Sequence, residues 1–166
     1  METIYFQGNP CHTYGNIPAV GTKAPCFNLV GSDLKDVRCS DFEGKRIILN
    51  IFPSLDTPVC ATSVRRFNEE ATKVDNTQVI CVSMDLPFAQ KRFCTAEGID
   101  KLIVSSAFRS PTFAQQYGLR IVDGPLAGLL ARAVIVMDEN HNIIYSELVD
   151  EITREPDYKA ALSVLK

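Results

Sequence analysis

The stretch Arg46–Cys60, RIILNIFPSLDTPVC, runs from a buried-strand pattern straight into a helix start. Its first seven residues, Arg46 to Phe52, are nearly continuous in apolar character, as expected of a strand covered on both faces. A loop containing Pro53 follows. Thr57 is then read as an N-cap, with Pro58 at the first helical position, where its missing N–H removes no hydrogen bond. Beyond it, Cys60, Val64, Phe67, Ala71 and Val74 fall at i, i+4, i+7, i+11 and i+14, one face of an α-helix.

Outward from this unit the alternation continues. Gln78–Met84 (QVICVSM) reads as a second buried strand, and Pro87 opens a helix that Gly98 closes. The apolar stripe of that helix is Ala89, Phe93 and Ala96. Cys94 sits about 100° round from Phe93, on the boundary with Gln90 and Glu97. Leu102–Ser105 is a short strand and Pro111–Tyr117 a short helix ended by Gly118. Arg132–Met137 and Ile143–Val149 are strands joined by a turn over Asp138–Asn142, and Pro156–Leu165 is a terminal amphipathic helix. Upstream, Cys26–Val30 reads as a strand, and Thr3–Phe6 with Pro10–Tyr14 as a small hairpin around Gly8 and Asn9. Strands alternating with helices, closed by a late hairpin, predict an α/β fold with a mixed sheet, parallel within and antiparallel at one edge.

The chain has 166 residues, 46% hydrophobic and 22% charged, enough to bury a core as a single domain without cross-links. Its apolar runs are far too short for a membrane span. No basic segment followed by an apolar run opens the chain, so we expect no secretory signal and a cytoplasmic protein. A net charge of −3 without any basic block argues against nucleic-acid binding. Nucleotide-binding and metalloprotease motifs (G-x-G-x-x-G, G-x-x-x-x-G-K-[ST], H-E-x-x-H) are absent, as is G-x-S-x-G.

The unusual feature is six cysteines beside two histidines. Successive cysteines are 15, 13, 21, 21 and 13 positions apart, with no C-x-x-C pair, which disfavours zinc. A chain of this size and type does not call for a disulfide scaffold, so most of the thiols are expected to be reduced core residues. Cys81 lies within a buried strand and reads as structural. Cys26 and Cys39 read as core or edge residues, and Cys11, in the hairpin, as exposed.

Cys60 stands apart because it occupies the third helical position, where free backbone N–H groups and the helix dipole favour an anion. An ordinary thiol, with a pKa about 8.5, is about 3% thiolate at neutral pH. Lowering such a value to about 6 needs roughly 3.4 kcal/mol, and a helix terminus typically supplies about 1. A cation must therefore come close. Arg65 and Arg66 point some 120–140° away on the same helix. Arg132, at the start of an apolar strand, is the leading candidate because a buried arginine needs a partner; Arg109 and Arg120 compete. The competing reading of Cys60 is a packed, inert thiol in phase with the buried stripe. Cys94, on its boundary, is accessible enough to react; the competing and commoner reading is a plain surface thiol.

The segment Phe52–Cys60 resembles the P-x-x-x-T-x-x-C signature of peroxiredoxins, with Pro53, Thr57 and Cys60 in its three places. The whole chain is similar to the atypical two-cysteine class, of the bacterial thiol peroxidase type. Supporting segments run in order from Phe6–Pro10 through Asp85–Gln90, Arg92–Cys94, Ala107–Arg109, Asp123–Leu126 and Ala131–Ala133 to Asp150–Thr153. The resemblance implies a thioredoxin-like fold with an N-terminal β-hairpin (residues 1–15 of a single domain, 1–166), usually a homodimer. It implies reduction of hydroperoxides, often organic ones, with thioredoxin as reductant and neither metal nor organic cofactor. Cys60 takes the peroxidatic place and Cys94 the resolving one; Thr57 and Arg132 hold and activate the thiolate, and Pro53 shields it. Cys11, Cys26 and Cys39 depart from the pattern. The alternatives are a thioredoxin-type disulfide oxidoreductase, for which Ala61–Ser63 supplies no second cysteine, and a redox-inert binding module.

Overall fold

A computed structural model describes residues 1–166. The chain forms β1 (Thr3–Phe6), β2 (Asn9–His12), β3 (Asn28–Gly31), β4 (Asp36–Arg38), β5 (Arg46–Ile51), α1 (Pro58–Glu70) and β6 (Thr77–Ser83). It continues through α2 (Pro87–Glu97), β7 (Ile103–Ser106), α3 (Pro111–Gln116), β8 (Ala133–Met137), β9 (Ile143–Leu148) and α4 (Tyr158–Ser163). Single 3₁₀ turns cover Cys39–Phe42 and Ala71–Lys73.

The apolar run that reads as a doubly covered strand is central in a seven-stranded sheet of order β4-β3-β7-β6-β5-β8-β9. β5 pairs in parallel with β6, and β6 with β7, whereas β8 and β9 add antiparallel on one side and β3 and β4 on the other, so both edges are antiparallel and not one as expected. Side chains alternate across this sheet, so each strand feeds two cores. Ile47, Leu49 and Ile51 enter the first, with Phe113 and Tyr117 near α3 and Ile4 and Cys11 of the hairpin. Ile48, Val79 and Cys81 enter the second, against Cys60, Val64 and Phe67 of α1 and Tyr158 and Ala161 of α4. Phe67 meets Tyr158 edge to face with ring centroids 5.2 Å apart, and each such burial contributes roughly 1.5–3 kcal/mol. No helix is long and apolar enough to cross a membrane.

Several expectations shift. α1 ends at Glu70 and tightens into a 3₁₀ turn, so Ala71 and Val74 are only half-buried, though on the predicted face. The terminal helix shrinks to Tyr158–Ser163, started by the Asp157 carboxylate, which accepts the Ala160 N–H at 3.0 Å. α2 packs through only part of the expected stripe: Ala96 is exposed, and the packed side carries Pro87, Gln90 and half-buried Phe93 and Cys94. Gln90 tolerates burial because its Nε2 donates to Ser83 Oγ at 3.1 Å and to the Ser105 carbonyl at 2.8 Å. Gly118 ends α3 at φ 68°, where a Cβ would lie 2.7 Å from Asn16 N, so only glycine fits.

Cys11 is 3% exposed rather than open to solvent, because the hairpin lies against the molecule with Ile4 and Cys11 inward. Nor are Cys26 and Cys39 reduced core or edge residues. They form a disulfide with Cα atoms 5.6 Å apart, and Cys26 is exposed. The reason is register. β3 starts at Asn28 and pairs it with Arg38, and Cys39 N–H donates to the Phe27 carbonyl, bringing the two cysteines together just beyond the ladder.

Candidate active site

β5 and β6 are parallel, with Ile51 opposite Val82, so the segments leaving them emerge side by side at the carboxyl edge of the sheet. Open α/β sheets build their sites at this edge. Asp85, just past β6, clamps the segment that follows β5. Its carboxylate accepts Ser54 Oγ at 2.8 Å, the Leu55 N–H at 2.8 Å and Ser83 Oγ at 2.6 Å. Thr57 sits at the N-cap but does not cap through its side chain; its hydroxyl donates to the Ser54 carbonyl at 3.0 Å and folds the loop on itself.

This loop delivers Cys60 into the first turn of α1, fully buried. Its sulfur accepts a hydrogen bond from Arg132 Nη2 at 3.2 Å. Arg132 precedes β8 and is 1% exposed; its Nε donates to the Ile152 carbonyl at 2.8 Å. Its Nη1 is buried with no hydrogen-bond partner. The competing arginines go elsewhere: Arg109 pairs with Asp36 at 3.6 Å, and Arg120 is exposed. Arg65 and Arg66 turn away, as their helical positions predict, and pair with Glu97 at 3.2 Å and Glu70 at 3.5 Å.

A cavity of about 230 Å³ opens over this site, lined by Pro53, Thr57 and Arg132 together with Phe6, Leu126, Leu129 and Ile152. Gln7 and Thr153 complete its polar lining beside the guanidinium and the Thr57 hydroxyl. Cys94 is half-buried on α2, in the same apolar cluster as Cys60, and burial pushes its thiol up. Cys81 shares that cluster too; burial pushes its thiol up to about 12, partly opposed by a hydrogen bond from Asn50 Nδ2 at 3.6 Å. The Cys26–Cys39 bond lies away from this edge, sharing a surface pocket with Gly44 and with Met137, which pairs with Ile47 near the start of β5, whereas Cys60 follows the end of that strand. The structure thus brings Cys60, Arg132, Thr57 and Pro53 to one place, with Cys94 on the neighbouring helix. Asp85, Ser54 and the Ile152 carbonyl, which hold that arrangement, fall within segments that carry the family resemblance, but were assigned no role from sequence. An aspartate immediately after a buried strand was the available signal for Asp85.

A thioredoxin-like mixed sheet presenting a thiol at a helix start defines a class of redox protein, and comparison with known proteins agrees. The chain belongs to the redoxin family, whose model matches residues 19–162. It is 54% identical over 165 residues to a thiol peroxidase of Corynebacterium glutamicum, an alignment covering 99% of each chain, and equally so to a thiol peroxidase of Mycobacterium bovis. Among solved structures, a peroxiredoxin-like protein from Aquifex aeolicus superposes with a TM-score of 0.93 at 39% identity, covering 99% of this chain and 96% of that one. Within the family, this chain is a peroxiredoxin-type oxidoreductase.

Proposed function

We propose that the protein reduces hydrogen peroxide and organic hydroperoxides at Cys60, closes a Cys60–Cys94 disulfide, and is returned to the dithiol by thioredoxin. The observation that carries this reading is the Arg132 guanidinium, which donates to Cys60 Sγ from Nη2 while Nη1 is left unpaired beside the cavity. The donor is a cation, and a charge-assisted hydrogen bond is about twice as strong as a neutral one, so the sulfur is held firmly at the guanidinium. The thiolate attacks the nearer peroxide oxygen, the O–O bond breaks, and the alcohol or water leaves after taking a proton. Nη1 and the free N–H groups of the first turn of α1 stabilise the charge growing on the departing oxygen. Thr57, whose hydroxyl proton is committed to Ser54, has lone pairs free to accept from the peroxide O–H and align it. Pro53 excludes water from the sulfur.

The Cys60 sulfenic acid then condenses with the Cys94 thiol, releasing water and leaving the disulfide before further oxidation. A disulfide requires Cα atoms within about 7 Å, so the start of α1, the end of α2 or both unwind locally to close it. Thioredoxin's dithiol supplies the two electrons that reopen the bond. Leu86, Phe88 and Phe108, exposed by 50%, 69% and 40% beside the start of α2 and the end of β7, supply an apolar surface for a second copy in a homodimer. Four free thiols suit a reducing cytoplasm. The hairpin, outside the matched family region, belongs to the same single domain because Ile4 and Cys11 pack into the first core.

Peroxide-dependent oxidation of NADPH through a thioredoxin system tests the proposal. Cys60→Ser is expected to abolish turnover. Cys94→Ser is expected to spare the first oxidation and block recycling by the monothiol enzyme. Full turnover by Cys60→Ser would overturn the reading.

A further inference from the structure

The segment Asp150–Thr153 contributes Ile152 to the site, through its carbonyl on Arg132 and its side of the cavity, yet its most heavily bonded side chain is Glu151. The carboxylate accepts the Gly8 N–H on Oε1 at 2.8 Å. On Oε2 it accepts the Gln7 N–H at 3.3 Å, the Thr153 N–H at 3.0 Å and the Thr153 hydroxyl at 2.9 Å. Gln7 and Gly8 are the two central residues of the β1–β2 turn, with φ of 52° and 81°. Both are left-handed, as a two-residue hairpin of this twist requires, and glutamine lacks the freedom of glycine there. The turn therefore aims two amides at one point, a small anion nest that Glu151 fills. Backbone pairing extends the junction: Tyr5 N donates to the Asp150 carbonyl at 2.7 Å and Ile152 N to the Tyr5 carbonyl at 2.8 Å.

Phe6 and Gln7 on one side of this junction, and Ile152 and Thr153 on the other, line the cavity over Cys60. We propose that Glu151 is a positioning residue for bulky organic hydroperoxides: by pinning the hairpin turn it fixes the apolar wall at Phe6, while hydrogen peroxide, which does not reach that wall, is indifferent to it. The inference rests on the proposed reading of the cavity as the hydroperoxide site. Hydrogen bonds, first from the Thr153 amide and then from Gly8, the Thr153 hydroxyl and Gln7, hold the Glu151 carboxyl below the usual carboxylate range, so it meets the turn as an anion.

Glu151→Gln tests this without changing volume. Either orientation of the amide places an NH₂ against N–H donors, Gly8 on one side or Gln7 and Thr153 on the other. With cumene hydroperoxide, kcat/KM is expected to fall about tenfold through KM, and with hydrogen peroxide to stay within about twofold. Hydrogen exchange at the Gln7 and Gly8 amides is expected to rise while β5 and β6 stay protected, which shows that the fold is intact. Phe6→Ala is the control on the wall itself and is expected to lower the same organic-to-hydrogen-peroxide ratio. If Phe6→Ala lowers the ratio and Glu151→Gln does not, the role of Glu151 is overturned and the cavity reading stands. If Phe6→Ala leaves the ratio unchanged, the cavity reading fails and the inference fails with it. A lowered ratio with unchanged exchange at the turn would also overturn the mechanism.

Discussion

Cys60 and Cys81 are both fully buried thiols in the same apolar cluster, one at the carboxyl edge of the sheet and one inside it. Around Cys81, in the middle of β6, the only donor is the neutral Asn50 amide at 3.6 Å, and burial pushes the thiol up to about 12. Around Cys60 the donor is a guanidinium at 3.2 Å, held in place by the Ile152 carbonyl. Burial by itself silences a thiol. What distinguishes Cys60 is its place at the carboxyl edge, where a loop, a helix start and an arginine that precedes another strand converge. A second pair, Cys26 and Cys39, lies near the start of β5, where a disulfide exposed at Cys26 staples the ends of a hairpin.

The largest test of this contrast removes the cation. Arg132→Met is expected to slow oxidation of Cys60 by about 10²–10³-fold, roughly 3–4 kcal/mol, as for loss of a donor to a developing oxyanion. Stopped-flow rates within threefold of the parent protein would erase the distinction between the two thiols. Next comes the distal staple. Cys26→Ser is expected to lower unfolding stability by about 3 kcal/mol in urea, the value for a loop of about 15 residues, with the rate at Cys60 unaltered. Asp85→Asn weakens the clamp on Ser54 and Leu55 and is expected to slow Cys60 oxidation about tenfold, roughly 1.4 kcal/mol. An unchanged rate would show that the loop holds its shape without the carboxylate.

The smallest effect belongs to Cys81. Its folded-state pKa is raised from 9.0 to about 12, so the folded protein holds the proton that the unfolded chain releases. The associated stability is complete below pH about 9 and is lost as pH rises from there towards 12, by roughly 1 kcal/mol per pH unit. Urea midpoints at pH 8 and pH 10 are expected to drop further for the parent protein than for Cys81→Ala. Equal drops would mean that Cys81 ionises freely in the folded state.

The strand–loop–helix unit from Arg46 to Cys60 was legible because two periods and a proline meet there. Arg132 was legible as a charge opening an apolar strand. The Cys26–Cys39 bond was not, because it depends on the register of β3 against β4, which a one-residue slip would destroy. Cys11 misled for a related reason: a two-stranded ribbon reads the same whichever face docks on the body. On α2 the apolar stripe pointed to Ala96, but Gln90, supplied with two hydrogen bonds, took the packed side instead. Asp85 and Glu151 bond to loops distant in sequence, and although Asp85 has a local signal in its place after a buried strand, no local pattern names the partner of either.

The most direct test of the assignment of Cys60 is a map of which sulfur is oxidised first. Cys94→Ser protein, treated with one equivalent of hydroperoxide in the presence of dimedone and digested, is predicted to carry the adduct on the Cys60 peptide, with Cys81 unmodified. An adduct on Cys11, Cys26, Cys39 or Cys81 with Cys60 unmodified would contradict the account.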